Sequence, residues 1–96
     1  MLFVVLCQDK PGALQIRKDT RTRHLEFAKS LGSKLKLGGP FLNDEDEMVG
    51  SMLIIEAETK EDAVQISKQD PYFAAGLFES VDVRPWKWSI NAPAAV

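Results

Sequence analysis

The chain has 96 residues, of which 45% are hydrophobic and 27% charged, so we expect one small globular domain and exclude a disordered chain or a multidomain enzyme. Its 12 Lys and Arg residues against 14 Asp and Glu residues give a formal net charge of −2. This balance lacks the overall positive field of proteins that bind nucleic acids or anionic membranes, so we expect neither partner.

The lone cysteine and the opening segment bear on location and on cofactors. Cys7 has no second cysteine for an internal disulfide, and no Cys or His cluster has the spacing of a metal site. Residues 1–8 are apolar but lack the basic start and cleavage site of a secretory signal, and they are too few to span a bilayer. We therefore expect a cytoplasmic protein with no metal and, since no cofactor motif is visible, cofactor-free chemistry.

The hydrophobic pattern predicts a first strand over residues 2–7, which is apolar on both faces. A helix follows and runs to about Leu31, where Gly32 is a typical C-terminal stop. A strand over residues 34–42 is expected to bend or bulge at its two glycines, and it pairs as a hairpin with a third strand over residues 50–58.

The second half of the chain predicts one more helix and one more strand. Thr59 is a typical N-cap, and the helix that it opens should end before Pro71 because a proline disfavours helical backbone in the residue before it. Residues 71–76 are expected to form a turn or a short helical fragment. A strand over residues 77–88 follows, with its side chains divided between one face (Leu77, Val81, Val83) and the other (Phe78, Trp86, Trp88).

The resulting order, β-α-β-β-α-β, is that of the ferredoxin-like α+β fold, a four-stranded antiparallel sheet with two helices on one face. The strands over residues 2–7 and 50–58 are apolar on both faces, so two helices leave one apolar sheet face uncovered. Because large apolar patches usually mark interfaces, we expect a homodimer that packs through this open face. The domain is expected to span residues 1–88, with residues 89–96 as a frayed tail.

The charges are segregated along the chain. Residues 10–36 carry eight basic and two acidic side chains, whereas residues 43–82 carry eleven acidic and two basic ones. The two segments either attract each other, within the domain or across a dimer, or form solvated faces, which is the commoner case.

His24, the only histidine, is the first candidate for proton-transfer chemistry. On a helix it shares a face with Ala28, and Arg21 lies one turn before it. An imidazole exchanges a proton near neutral pH, although a structural histidine bonded to a backbone carbonyl is commoner. Asp70, at the end of the second helix, is the candidate carboxylate to orient the ring, or else only a turn-forming residue. Periodicity leaves a contact between His24 and Asp70 open.

Several strings along nearly the whole chain resemble the YciI-like family of the dimeric α+β barrel group. The most specific is DPYFAAGL at residues 70–77, and the others are QDK at 8–10, RTRHL at 21–25, GGP at 38–40, GS at 50–51 and PWK at 85–87. The resemblance implies a ferredoxin-like homodimer with a pocket in each protomer that contains His24 and Asp70. It also implies a small-molecule enzyme, since one relative removes chloride from a chlorinated hydroxyquinol; muconolactone isomerase shares the wider architecture but not these motifs.

Under this resemblance His24 and Asp70 are the expected catalytic pair, and three other residues are candidates for substrate binding. Arg21, with help from Arg17, fits a substrate carboxylate, although a surface salt bridge to the acidic segment suits each arginine equally. Ser51 is a candidate donor to a substrate oxygen. Tyr72, with its neighbour at position 73, is a candidate pocket wall, although aromatics beside a helix end are more often core or interface residues.

The cysteine and the two tryptophans are expected to have structural rather than functional roles. Cys7 lies in an apolar strand, where its thiol is expected to be inert. Trp86 and Trp88 lack the basic surround of an RNA-binding sheet, so interface packing is the better interpretation.

Three functions fit these observations. The first is a small enzyme that uses a His-Asp general acid/base pair for elimination, isomerisation or hydrolysis of an activated small molecule. The second is a noncatalytic metabolite-binding or regulatory dimer, and the third is an assembly domain. The fold does not choose among them, because function depends on the site.

Overall fold

The computed structural model describes residues 1–94, so the last two residues of the predicted tail lie outside the described range. In chain order the elements are β1 (Leu2–Asp9), α1 (Leu14–Ser30), a short 3-10 helix (Gly32–Lys34), β2 (Leu35–Leu42), β3 (Met48–Glu56), α2 (Lys60–Lys68), a four-residue helix α3 (Pro71–Ala74) and β4 (Phe78–Trp86). The strands form one antiparallel sheet in the order β2-β3-β1-β4. This arrangement confirms the predicted ferredoxin-like α+β fold.

Both long helices cover the same face of the sheet. Phe3 on β1 is buried on this face in a cluster that includes Ala63 of α2. Arg17 of α1 reaches Asp9 on β1 and Ser51 on β3, which share the face of Phe3 because alternate residues of a strand point the same way. The helix side of the sheet therefore holds the core under α2 and a polar cluster under α1.

Local signals explain where the helices begin and end. The Thr59 hydroxyl accepts a hydrogen bond from the backbone N–H of Asp62 at 3.1 Å and caps α2 as predicted. α1 ends at Ser30 and Gly32 follows with φ +55°, a left-handed conformation that suits glycine. Gly50 meets a different demand, since a Cβ there would lie 2.5 Å from the Cys7 carbonyl oxygen. Glycine at position 50 thus lets β3 approach β1 immediately before Ser51.

Two details of the strands differ from the sequence expectation. The register of β2 shifts between Leu35 and Leu37 and again between Phe41 and Leu42, so its irregularities flank the glycines instead of lying on them. In β4, Gln8 pairs with Ser80 while Asp9 pairs with Phe78, which leaves residue 79 as an extra residue. This bulge reverses the alternation, and the prediction that Phe78 faces away from Val81 and Val83 was wrong, because all three pack on the helix-side core.

The opposite sheet face is not covered by either helix. Val4 of β1 pairs with Ile54 of β3 on this face, which also carries Leu6 and Met52. Ile54 is buried, whereas Trp86 at the end of β4 is exposed and lies with its ring centroid 5.6 Å from that of Trp88. The open face is therefore apolar along its centre, as the sequence predicts.

Two further findings concern the chain as a whole. None of the helices in residues 1–94 is long and apolar enough to cross a membrane. Residues 89–94 form no helix or strand.

Candidate active site

A cavity of about 280 Å³ lies between α1 and the β2–β3 hairpin. Its polar lining comes from α1, β3 and α3, and the rest is glycine, proline and apolar side chains. The polar residues are Arg17, Arg21, His24, Ser51 and Tyr72. Four of these five residues were singled out by the sequence as catalytic or substrate-binding, and Arg17 as an assisting arginine.

His24 and Asp70 are in hydrogen-bond contact in this structure. The Nδ1 atom of His24 lies 2.9 Å from Oδ1 and 3.0 Å from Oδ2 of Asp70. The side chains are 13% and 4% exposed, so bulk water competes little for this contact. The two residues are 46 positions apart, and α3 brings them together by placing Asp70 under the middle of α1.

The local sequence fixes the Asp70 carboxylate. Asp70 is the N-cap of α3, and its Oδ1 atom accepts the backbone N–H of Tyr72 at 3.0 Å, while Pro71 occupies the first turn of the helix. The turn-forming role that the sequence left as an alternative therefore coexists with the histidine contact. A carboxylate held from both sides has little freedom to rotate away from the imidazole.

The imidazole is also held in its plane. The His24 ring stacks on the Tyr72 ring, with centroids 4.1 Å apart and an interplanar angle of 15°. A carboxylate accepts hydrogen bonds, so Asp70 favours the tautomer with a proton on Nδ1, which leaves a lone pair on Nε2. Since His24 lines the cavity, the geometry is that of a base that can take a proton from a small bound molecule.

Arg17 is placed differently from either sequence interpretation. Its Nε donates to Asp9 Oδ2 at 2.7 Å, and one terminal nitrogen donates to Asp9 Oδ1 and to Ser51 Oγ, both at 2.9 Å. Arg17 is only 2% exposed. The surface salt bridge to the acidic segment was wrong for Arg17, because its partner is the buried Asp9 of β1. Nε and one terminal nitrogen of Arg17 are therefore engaged with Asp9 and Ser51, while the other terminal nitrogen takes part in none of these three bonds, so an assisting contact with a substrate oxygen stays a prediction.

Asp9 is the site residue that the sequence interpretation missed. It continues the buried, alternating face of β1 after Phe3, Val5 and Cys7, where an apolar residue is expected. A charged residue at such a position demands a partner of opposite charge. That mismatch, followed eight residues later by Arg17 on a helix, is the signal that points to a buried pair.

Ionisation of the buried groups follows from their surroundings. Burial lowers the pKa of Arg17, but the hydrogen bonds and the charge of Asp9 outweigh it and leave that pKa above its ordinary value. Burial raises the pKa of the Tyr72 phenol; the Arg17 charge opposes this shift and Asp70 adds to it. Burial, with Asp70 and Asp9 adding and Arg17 opposing, raises the pKa of Cys7 to about 12, so its thiol stays protonated and poorly nucleophilic.

The three predicted substrate-binding residues all line the cavity but differ in exposure. Ser51 and Tyr72 are buried at its inner wall, and Arg21 is exposed at its rim. Among residues 1–94 no ion pair joins Arg21 to the acidic segment. Phe73 does not line this cavity and is 41% exposed, so its expected role as a wall was wrong.

A larger cavity of about 770 Å³ lies beside the β1–α1 loop and the tip of the β2–β3 hairpin. Neither His24 nor Asp70 lines it. We place the candidate site in the smaller cavity because that one contains the oriented imidazole. Within residues 1–94, no group of three or more His, Cys, Asp or Glu side chains is placed to hold a metal ion.

Known proteins of similar sequence span nearly the whole chain. Residues 1–87 match the YCII-related domain. Protein YciI of Escherichia coli O6:H1 is 37% identical over 95 residues, which cover 91% of this chain and 97% of that protein.

Solved structures extend the likeness. The 5-chloro-2-hydroxyhydroquinone dehydrochlorinase TftG of Burkholderia phenoliruptrix AC1100, in complex with 2,5-dihydroxybenzoquinone, is 39% identical, with a TM-score of 0.83 over 91% of this chain and 94% of that one. A NIPSNAP family protein of Agrobacterium tumefaciens, 16% identical with a TM-score of 0.52 over 95% of this chain and 97% of that one, shares the fold alone. The match over residues 1–87, together with the identity to YciI, shows that the chain belongs to the YciI-like family.

Proposed function

We propose that this protein is a small-molecule enzyme in which His24 and Asp70 act as a general acid/base pair. The observation that carries the proposal is the double contact of Asp70 with His24 Nδ1, at 2.9 and 3.0 Å, on a ring that lines a cavity. Nε2 is then the nitrogen that exchanges a proton with the substrate. A base placed in this way contributes about 10²- to 10⁴-fold to a rate, which suits an activated substrate.

Among elimination, isomerisation and hydrolysis, the likeness to TftG favours elimination from a hydroxylated ring. In such a step His24 Nε2 takes the proton of a ring hydroxyl. The electron pair left on the oxygen forms a carbonyl, and the ring electrons shift to the carbon that bears the leaving group, which takes a proton from the protonated His24. A second ring hydroxyl then gives its proton to His24, its electron pair forms a second carbonyl, and the bond to the leaving group breaks with its electron pair. Ser51 and Arg21 are suited to bind substrate oxygens, and Tyr72 supports the imidazole from one face.

The test is chloride release from 5-chloro-2-hydroxyhydroquinone by the wild type, His24→Gln and Asp70→Asn. Glutamine keeps an amide donor for Asp70, and asparagine keeps the acceptor for the Tyr72 N–H, so both variants preserve the local fold. We expect release to fall by about 10²- to 10⁴-fold in His24→Gln, because the base is gone. Arg23→Gln, an exposed change on the same helix, is the matched control and should release chloride like the wild type.

Two other outcomes would change the proposal. Release that persists in both His24→Gln and Asp70→Asn would place the base elsewhere. Tight binding of 2,5-dihydroxybenzoquinone by the wild type, with no turnover of any halogenated or unhalogenated hydroxyhydroquinone, would favour the noncatalytic metabolite-binding module.

We further propose that the working unit is a homodimer joined through the open sheet face. The support is the apolar strip formed by Val4, Leu6, Met52 and Ile54 on a face that no helix covers. Sedimentation at micromolar concentration should give a dimer, and Val4→Asp should dissociate it; a 10.7 kDa species in the wild type would rule it out. A cytoplasmic location and cofactor-free chemistry stay predictions from the sequence.

A further inference from the structure

The buried ion pair of Asp9 and Arg17 has no role in the proposed proton transfer. Its two hydrogen bonds, at 2.7 and 2.9 Å, join side chains that are 5% and 3% exposed. Moving two charges out of water is costly, and well-packed apolar residues often stabilise a fold equally well or better. Stability alone is therefore a weak reason for this pair, and its contacts with the cavity lining suggest another.

Arg17 connects the pair to two residues of the candidate site. A terminal nitrogen donates to Ser51 Oγ at 2.9 Å, and the guanidinium carbon lies 4.6 Å from the centroid of the Tyr72 ring. Asp9 holds the guanidinium in the orientation from which both contacts are made, because a bidentate pair fixes its plane. The pair thus supports two residues that line the cavity, Ser51 and Tyr72.

The contact with Arg17 determines what Ser51 can offer a ligand. A guanidinium only donates hydrogen bonds, so the Ser51 oxygen is the acceptor in this contact and its hydroxyl hydrogen is left for another partner. Ser51 lines the cavity that His24 also lines. A hydroxyl polarised by a cation on its oxygen is a better donor, because hydrogen bonds in a chain strengthen one another.

We propose that the Asp9–Arg17 pair is a positioning device that makes Ser51 a hydrogen-bond donor to a ligand oxygen. The ligands that fit are small hydroxylated rings or enols, with one acidic hydroxyl for His24 and a carbonyl or anionic oxygen for Ser51. Asp9 does not line this cavity, and Arg17, which does, supports Ser51 and Tyr72 through the contacts described above. The catalytic part of this inference rests on the proposed function, but the binding part does not.

The experiment measures the affinity of the purified protein for 2,5-dihydroxybenzoquinone by titration calorimetry, with chloride release as a separate readout. The variants are Ser51→Ala, the apolar replacement Asp9→Leu with Arg17→Met, and all three changes together. We expect Ser51→Ala and the apolar replacement each to weaken binding by about tenfold or more, the range for one buried ligand oxygen that loses its hydrogen-bond donor. The combined variant should lose no more than about twofold beyond the apolar replacement, because Ser51 is then already misoriented.

A merely structural ion pair gives a different pattern. In one such pattern the apolar replacement shifts the melting temperature but leaves the affinity for 2,5-dihydroxybenzoquinone unchanged. In the other, its loss of affinity multiplies with that of Ser51→Ala. Either result overturns the proposal. If the apolar replacement does not fold, Asp9→Asn provides the same reading, since it keeps the side-chain shape and removes the charge. Asp19→Asn, at an exposed carboxylate of α1 that accepts a hydrogen bond from Gln15 and does not line the cavity, is the matched control and should not change binding.

The two proposals fail separately. If the affinity for 2,5-dihydroxybenzoquinone depends on Ser51 and the ion pair while neither the wild type nor any variant releases chloride, the positioning device is supported and the enzyme proposal is overturned. Chloride release that needs His24 but is indifferent to Ser51 and the pair removes the positioning device alone. A wild type that does not bind the probe overturns the ligand class stated here.

Discussion

The two halves of the helix-covered sheet face differ in chemistry although they share one sheet. Under α2 the face is apolar, and Phe3, Ile55 and Ala63 are each no more than 1% exposed. Under α1 the buried helical residues are Arg17 and Thr20. One half of the domain is therefore packed for stability, and the other is built from hydrogen bonds around a cavity.

This difference explains why α1 contributes few apolar side chains to the core. Leu25 and Ile16 on α1 are 50% and 38% exposed, while its inward side carries Arg17 and His24 toward the cavity. A helix that buries polar side chains needs hydrogen-bond partners where it docks, and Asp9 and Asp70 supply them. The α1 half gives up apolar burial in return for oriented polar groups, so the α2 half must supply most of the stability.

The largest expected effect is on the α2 half. Phe3→Ala removes a ring that is 1% exposed, and such a change typically costs about 3–5 kcal/mol through lost burial and a residual cavity. We expect the free energy of unfolding, measured by urea denaturation at a fixed protein concentration, to fall by this amount. At temperatures where the variant is folded, its chloride release should stay near that of the wild type.

Ile16→Ala on the exposed side of α1 is the control for this change, and its cost should stay below about 1 kcal/mol. A folded Phe3→Ala variant with lost activity would contradict the separation of the two halves. In that case the apolar cluster would also position the site.

The same division explains what could be predicted from the sequence. The α2 half follows simple rules, since the continuous apolar runs of β1 and β3 and the cap at Thr59 give the strands, the helix and their order. The bulge at residue 79 is the exception, because a single extra residue leaves no clear mark on the hydrophobic pattern but reverses the face of Phe78.

The α1 half was predictable in its residues but not in its contacts. His24 and Asp70 were chosen from residue type and helix position, yet their 2.9 Å contact depends on where α3 docks, which periodicity does not encode. For Arg17 the sequence leaves a substrate-binding role and a surface salt bridge open, and neither interpretation includes burial. Its burial depends on the pairing with Asp9, because a buried charge needs a partner of opposite charge. Polar cores are specified by partners rather than by periodicity.

Alkaline pH is expected to lower the free energy of unfolding by a smaller amount, through one titrating group in each half. The folded pKa of Cys7, in the apolar cluster, is about 12 against an ordinary 9.0, and that of Tyr72 lies above its ordinary 10.0. The unfolded chain releases protons that the folded chain keeps, so this stability is complete below about pH 9 and is lost as the pH rises. We expect the free energy of unfolding to fall by up to about 1.4 kcal/mol per pH unit for each group.

The variants Cys7→Val and Tyr72→Phe assign the two steps when denaturation is repeated from pH 8 to pH 11. Cys7→Val should remove the loss that begins near pH 9, and Tyr72→Phe only the part that begins above pH 10. A wild-type slope that both variants leave unchanged would show that neither group is shielded as the structure indicates.

The smallest expected effect belongs to the rim of the α1 half. Arg21→Gln removes an exposed cation from the cavity mouth. Under the proposed function this cation attracts a substrate oxygen before and during the reaction to a similar extent. An interaction of this uniform kind affects KM more than kcat, so we expect KM for 5-chloro-2-hydroxyhydroquinone to rise by about tenfold or less with kcat nearly unchanged. The difference should shrink as salt is added, because exposed charges are screened within about 10 Å at 0.1 M. Arg23→Gln carries the same change of charge on the same helix but does not line the cavity, so an equal rise in KM there would reduce Arg21 to a contributor to the general field of α1.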